Sequence, residues 1–159
     1  TWGAPLDQFP RAGFEKVLQL NLLAPFEITK ALLPALRAAG TAEDPARVIN
    51  IASIDGMQVP LWESYPYSAT KAGLYSFTES LRAQFAGSGI NIIEAVPPLV
   101  DTDMTLGRGR NKLSARQMAQ AIRDGVKRGD RVVAPGLSRR VLFLNRLVPS
   151  VVARILARN

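Results

Sequence analysis

Tyr67 and Lys71 stand four residues apart in the string YSATK, a spacing that sets the lysine ammonium over the phenol's face of a helix, one turn along. An unperturbed tyrosine titrates near about pH 10, and a cation within about 4 to 6 Å favours the phenolate, bringing the group towards a pH where it exchanges protons with a substrate. Ser53, which closes the apolar stretch RVINIAS, can aim its hydroxyl at the same spot and hydrogen-bond a carbonyl or alkoxide oxygen. Three polar groups would then converge on one oxygen. A lone Tyr-x-x-x-Lys also arises as a solvated pair on a helix surface, so the surrounding elements decide what it means.

Those elements alternate in type. Apolar residues recur every three or four positions from Phe14 to Ala39, the pattern of a long amphipathic helix closed by Gly40; Pro25 and Pro34 predict a kink and an irregular last turn. The stretch RVINIAS is short, β-branched and apolar on both faces, as a buried parallel strand should be. A loop containing Asp55, Gly56 and Pro60 follows, then a second helical pattern from about Tyr67 to Phe85. Gly87 and Gly89 separate it from INIIEAV, another buried-type strand, which ends at Pro97 and Pro98. Strand, helix, strand predicts a parallel sheet with ligands at the carboxyl ends of its strands, where Ser53 and Pro97 both stand.

The rest of the chain is polar and basic. Leu99 to Leu113 contains glycine and suits a flexible flap; Ser114 and Gln117 form a capping box for a helix to about Lys127, and RVVAP reads as a short strand. From about 139 to 158 the pattern is a basic amphipathic helix with a break at Pro149.

Composition narrows the chemistry. The 159 residues, 47% hydrophobic, suit one globular domain. There is neither cysteine nor histidine, which excludes disulfides, thiolate and imidazole metal sites and the usual neutral-pH proton shuttle, so we expect no metal. No apolar run is long enough for a membrane span and the opening lacks the features of a signal peptide, so a cytoplasmic location is the expectation. The net charge of +7 resides mostly beyond Thr105. Without aromatic interleaving or a compact basic cluster, it predicts solvated helix faces and no nucleic-acid partner.

Taken in order, LNLLAPF with Asn21, INIAS with Ser53, YSATKAG with Tyr67 and Lys71, and INIIEAVPPLVDTDM around Thr102 resemble the short-chain dehydrogenase/reductase family over nearly the whole chain. The resemblance implies an α/β fold, here the C-terminal, catalytic part of a Rossmann-like doubly wound parallel sheet, a single partial NAD(P)-binding domain over 1–159. It further implies reversible hydride transfer between NAD(P)(H) and a carbonyl or alcohol, with Tyr67 as acid or base, Lys71 depressing its pKa and holding the nicotinamide ribose, Ser53 fixing the carbonyl, and Asn21 completing a tetrad. Asn21 can instead be a polar residue satisfying backbone at a helix kink. By the same resemblance Pro97, Pro98, Val100 and Thr102 border the nicotinamide, although Thr102 also suits a helix cap. The substrate pocket would draw on Ile54, Asp55, Trp62, Glu63 and Tyr65 from one loop and Leu99 and Met104 from the flap, implying a moderately hydrophobic carbonyl compound.

Two departures stand out. Pro98 replaces the family's usual glycine, a variant found in one subset of it, and removes an N–H. No glycine-rich phosphate-binding fingerprint and no residue selecting NAD or NADP occurs in these residues, so the cofactor's phosphate preference stays open and we expect a fragment or incomplete chain of the enzyme. The alternatives are a non-catalytic relative acting as a binding or assembly partner, which the intact Ser53, Tyr67 and Lys71 count against, and a peripheral membrane or lipid-handling protein. A homodimer or homotetramer through the two long helices is implied, and the basic C-terminal helix is expected to pack on the domain or on a sister subunit, with no membrane association.

Overall fold

The computed structural model describes residues 4–54, 65–107 and 109–156, with side chains to residue 152. Helix α1 (Arg11–Leu18) runs into a π-helical turn, Gln19–Leu23, and then into α2 (Ala24–Ala39). The expected irregularity at Pro25 is therefore a π-turn placed just ahead of the proline, which has no N–H to give to the Asn21 carbonyl. Pro34 sits inside α2. Strand β1 (Ala46–Ile51), helix α3 (Tyr65–Gln84) and strand β2 (Ile90–Ala95) form the unit read from the sequence. β1 pairs parallel with β2 in the register Ala46 to Ile90 through Ile51 to Ala95, and β2 pairs parallel with the short β5 (Val132–Val133) on its other side.

One hydrophobic cluster, Leu81, Phe85, Ile90 and Ile92, lies between α3 and β2, with Leu33 and Leu36 of α2 and Val48 of β1 packed against it. This follows from periodicity: every third or fourth residue of the helices meets every second residue of the strands. β1 departs from the expectation of burial on both faces. Its Asn50 is buried, but Arg47, Ile49 and Ile51 on the opposite face are exposed, the isoleucines by 37% and 47%. Among the described residues nothing covers that face, and β1 is an edge strand whose outer side carries no neighbour.

The flap expected over 99–113 is more ordered than its composition implies. β3 (Val100–Asp101) pairs with β4 (Leu113–Ser114), a one-turn 3-10 helix spans Asp103–Thr105, and Lys112 donates to the Thr105 carbonyl at 2.5 Å. The capping box forms as read: Ser114 Oγ accepts from the Gln117 N–H at 3.2 Å and Gln117 Oε1 accepts from the Ser114 N–H at 2.9 Å, opening α4 (Ala115–Arg128). The tail makes two helices, α5 (Leu137–Leu147) and α6 (Pro149–Leu156), divided before Pro149.

A backbone crossing joins the loop after α2 to the turn before β2. A Cβ added at Gly40 would lie 2.1 Å from the Gly89 carbonyl oxygen, and the Ala46 N–H donates to that same oxygen at 2.9 Å. Gly40→Ala is expected to destabilise the fold by about 1–3 kcal/mol, because backbone is what must yield; urea unfolding checks this.

Candidate functional site

Lys71 is the best-defined member of the site. It lies one turn inside α3, its Nζ donates to the Ile51 carbonyl at 2.7 Å, and the same Nζ stands 5.6 Å from the centre of the Tyr67 ring. The bond to Ile51 pins the ammonium at the carboxyl end of β1, two residues before Ser53. Burial holds the Lys71 ammonium below the usual lysine range. Ser53 is buried immediately beyond β1, where Ala52 N–H still donates to the Ala95 carbonyl at 2.8 Å and so keeps the strand end next to β2. Tyr67 is half-buried in the first turn of α3. The helix spacing, the strand end and the Lys71 bond therefore gather Ser53, Tyr67 and Lys71 at one edge of the sheet.

Asn21 reaches this edge from the π-turn. Its Nδ2 donates to Thr70 Oγ1 at 3.2 Å, and Thr70 Oγ1 donates to the Tyr67 carbonyl at 2.8 Å. Thr70 is 2% exposed. It lies inside the YSATK string, between the two residues the sequence singles out, yet periodicity gave it no role; only the fold shows that it joins the π-turn to the first turn of α3. Thr70→Val keeps the shape but strands the Asn21 amide, and is expected to cost about 1–2 kcal/mol of stability, measured by urea unfolding. Asn21→Ala in the same background should then cost little more, since the shared bond is already gone.

The remaining candidates divide by place. Pro97 and Pro98 are half-buried just past β2, Val100 is half-buried in β3, and Thr102 precedes the 3-10 turn, where its N–H donates to Thr105 Oγ1 at 3.2 Å. Ile54 follows Ser53 and is half-buried. Tyr65 begins α3 with its ring 5.3 Å from that of Phe9; its hydroxyl is buried without a hydrogen-bond partner among the described residues, and burial, with Asp7 nearby, pushes the phenol above its ordinary range. Leu99 and Met104 are exposed on the flap. Asp55, Trp62 and Glu63 lie outside the described residues.

A cleft of about 520 Å³ at the amino end of β2 lies at the other end of the strand from Pro97, with Arg47, Arg82 and Arg128 on its walls. Those arginines are engaged by Asp44, Glu79 and Asp130, so it is no rival to the carboxyl-end site.

A nicotinamide cofactor can be tested against these groups. Lys71 offers an ammonium suited to ribose hydroxyls, Tyr67 and Ser53 offer hydroxyls beside it, and the Pro97–Thr102 turn borders the same strand ends, so the nicotinamide-ribose half fits. The pyrophosphate half has no glycine-rich turn among the 159 residues to receive it.

Comparison with known proteins gives the same picture. A family model described as short chain dehydrogenase matches residues 1–113. The rhamnolipids biosynthesis 3-oxoacyl-[acyl-carrier-protein] reductase of Pseudomonas aeruginosa is 39% identical over 105 residues, covering 66% of this chain and 41% of the relative. Ketoacyl reductase HetN of a Nostoc species is 30% identical, covering 91% of this chain and 53% of its own. The chain thus spans about half the length of the curated relatives it matches. Among solved structures, a short-chain dehydrogenase from Burkholderia cenocepacia in complex with NADP superposes over 98% of this chain and 63% of its own, with a TM-score of 0.85 at 21% identity. The Pseudomonas aeruginosa RhlG/NADP active-site complex superposes over 66% and 41%, with a TM-score of 0.63 at 39% identity.

Proposed function

The chain belongs to the short-chain dehydrogenase family, and from that premise we propose that it carries the catalytic side chains of an NADP(H)-dependent carbonyl reductase acting on a hydrophobic ketone, such as a 3-oxoacyl thioester. The observation that carries this reading is the Lys71 ammonium, fixed by the Ile51 carbonyl one turn from Tyr67. When bound, a reduced nicotinamide supplies the hydride. Ser53 donates a hydrogen bond to the substrate carbonyl oxygen and orients it, and Tyr67 gives that oxygen a proton as negative charge develops on it. Lys71 favours the phenolate that remains, by charge attraction, and uses its other N–H bonds to hold ribose hydroxyls. Asn21, tied through Thr70 to α3, keeps the π-turn against the site. In the oxidative direction each proton step reverses.

NADP over NAD is supported by the relatives solved with that cofactor, and a long-chain keto substrate by the names of the related reductases and the exposed Leu99 and Met104 beside the strand ends. A cytoplasmic location and a homodimer or homotetramer complete the reading; the oligomer is supported by Leu20, Phe26, Ile28 and Leu32, exposed along the π-turn and α2, a surface that a second copy would bury. The test is NADPH oxidation, followed by absorbance, with 3-oxoacyl thioesters of increasing length and with NADH in parallel. Turnover that rises with chain length and prefers NADPH supports the reading; absence of turnover with every keto substrate and both cofactors overturns it.

A further inference from the structure

We propose that the outer face of α5 docks on an anionic lipid surface. The two sides of α5 differ. Ser138 and Val141 are buried, as is Val152 in α6, and the two helices pack on each other. On the opposite side Phe143 and Leu147, one helical turn apart, are exposed by 64% and 63%. Arg139 and Arg140 lie one turn before Phe143, and Arg146 lies beside Leu147; all three are exposed. Two large apolar side chains therefore project between arginines, whose aliphatic stems can lie along an apolar layer while the guanidinium groups stay at the headgroups.

Charge decides the occupant. After Asp130 the chain contains no Asp or Glu and six arginines. A symmetric contact between two copies of this face would set arginine against arginine with no acid to answer it. Anionic headgroups supply the missing charge, while the acyl boundary takes Phe143 and Leu147. Among the described residues no helix is long and apolar enough to cross a membrane, so the contact is one of lying on the surface. It would bring the protein to the interface where long-chain acyl compounds gather, although the docking itself stands whether or not the proposed reductase activity does.

The experiment is co-sedimentation of the whole chain with vesicles of phosphatidylcholine alone or with about 30% phosphatidylglycerol. Binding is expected only to the anionic vesicles, weakened at about 0.5 M salt, and reduced at least about tenfold in Arg139→Gln/Arg140→Gln/Arg146→Gln and in Phe143→Ala/Leu147→Ala. Since every altered side chain is exposed, circular dichroism should show both variants folded; Leu6→Ala, also exposed but near the start of the chain, serves as the variant whose binding should not change. Equal binding to both kinds of vesicle, no binding to either, or undiminished binding by the two α5 variants overturns the proposal. Self-association that persists at high salt and disappears in Phe143→Ala/Leu147→Ala would also overturn it, because the face would then belong to a second copy.

Discussion

Replacing Tyr67 by phenylalanine is expected to lower NADPH-dependent turnover by about 100- to 10,000-fold while the protein stays folded. The phenol is half-buried at the start of α3, and removing one oxygen there leaves the ring and its helix position unchanged. On the proposed reading, what disappears is the group that delivers a proton to the substrate oxygen in this histidine-free chain, while the Lys71 ammonium stays engaged with the Ile51 carbonyl. The loss should fall on kcat more than on KM, since the proton moves only as the oxygen gains charge. Steady-state kinetics with circular dichroism separates this outcome from misfolding. Ser53→Ala should be milder, because orientation is weakened but the proton donor survives.

A second large effect belongs to the core and not to the site. Glu94 in β2 is fully buried, and neither carboxylate oxygen has a hydrogen-bond partner among the described residues. Its cross-strand neighbour Asn50 finds Thr78 Oγ1 at 2.9 Å, and nearby Arg82 spends its guanidinium on Glu79 and on the carbonyls of Ile92 and Arg131. Burial pushes the Glu94 carboxyl from 4.5 up to about 7, with Arg82 opposing and Glu79 adding to the rise. A carboxyl whose folded pKa exceeds its unfolded one favours the fold when protonated. That contribution is complete below the unfolded value and lost as pH rises through about 7. The shift corresponds to about 3 kcal/mol of stability lost across that window. Glu94→Gln cannot ionise, so its advantage over the parent should widen by about that amount between about pH 4 and about pH 8 in urea unfolding. A gap that stays constant with pH would show that Glu94 does not titrate in this range.

The architecture was legible where periodicity was strong. Helical patterns over 14–39 and about 67–85, strands at 47–53 and 90–96, and the capping box of Ser114 with Gln117 were read from apolar spacing, and α2, β1, α3, β2 and α4 lie there with shifted ends. The irregularity near Pro25 was visible, but not its form as a π-turn, because a missing N–H says only that a bond is lost, not how the chain rearranges around it. The uncovered face of β1 was invisible for a related reason: Ile49 and Ile51 have the composition of buried strand residues, and burial depends on what lies opposite. Of the site, Ser53, Tyr67 and Lys71 announce themselves by type and spacing. Thr70 does not, since a threonine in a helix is common and its bond to Asn21 joins residues 49 positions apart. Glu94 likewise reads as the polar member of an apolar run, and only the sheet register places it between Asn50 and Val132.

Hydride transfer itself is the most direct test of the account. NADPH deuterated at the transferred position is supplied with a 3-oxoacyl thioester, and the product is analysed by mass spectrometry for the parent and for Tyr67→Phe. The site described here predicts one deuterium on the carbinol carbon of the alcohol formed by the parent, at a rate that collapses when Tyr67 is replaced. An alcohol without deuterium, or labelled product formed equally fast by Tyr67→Phe, would contradict it.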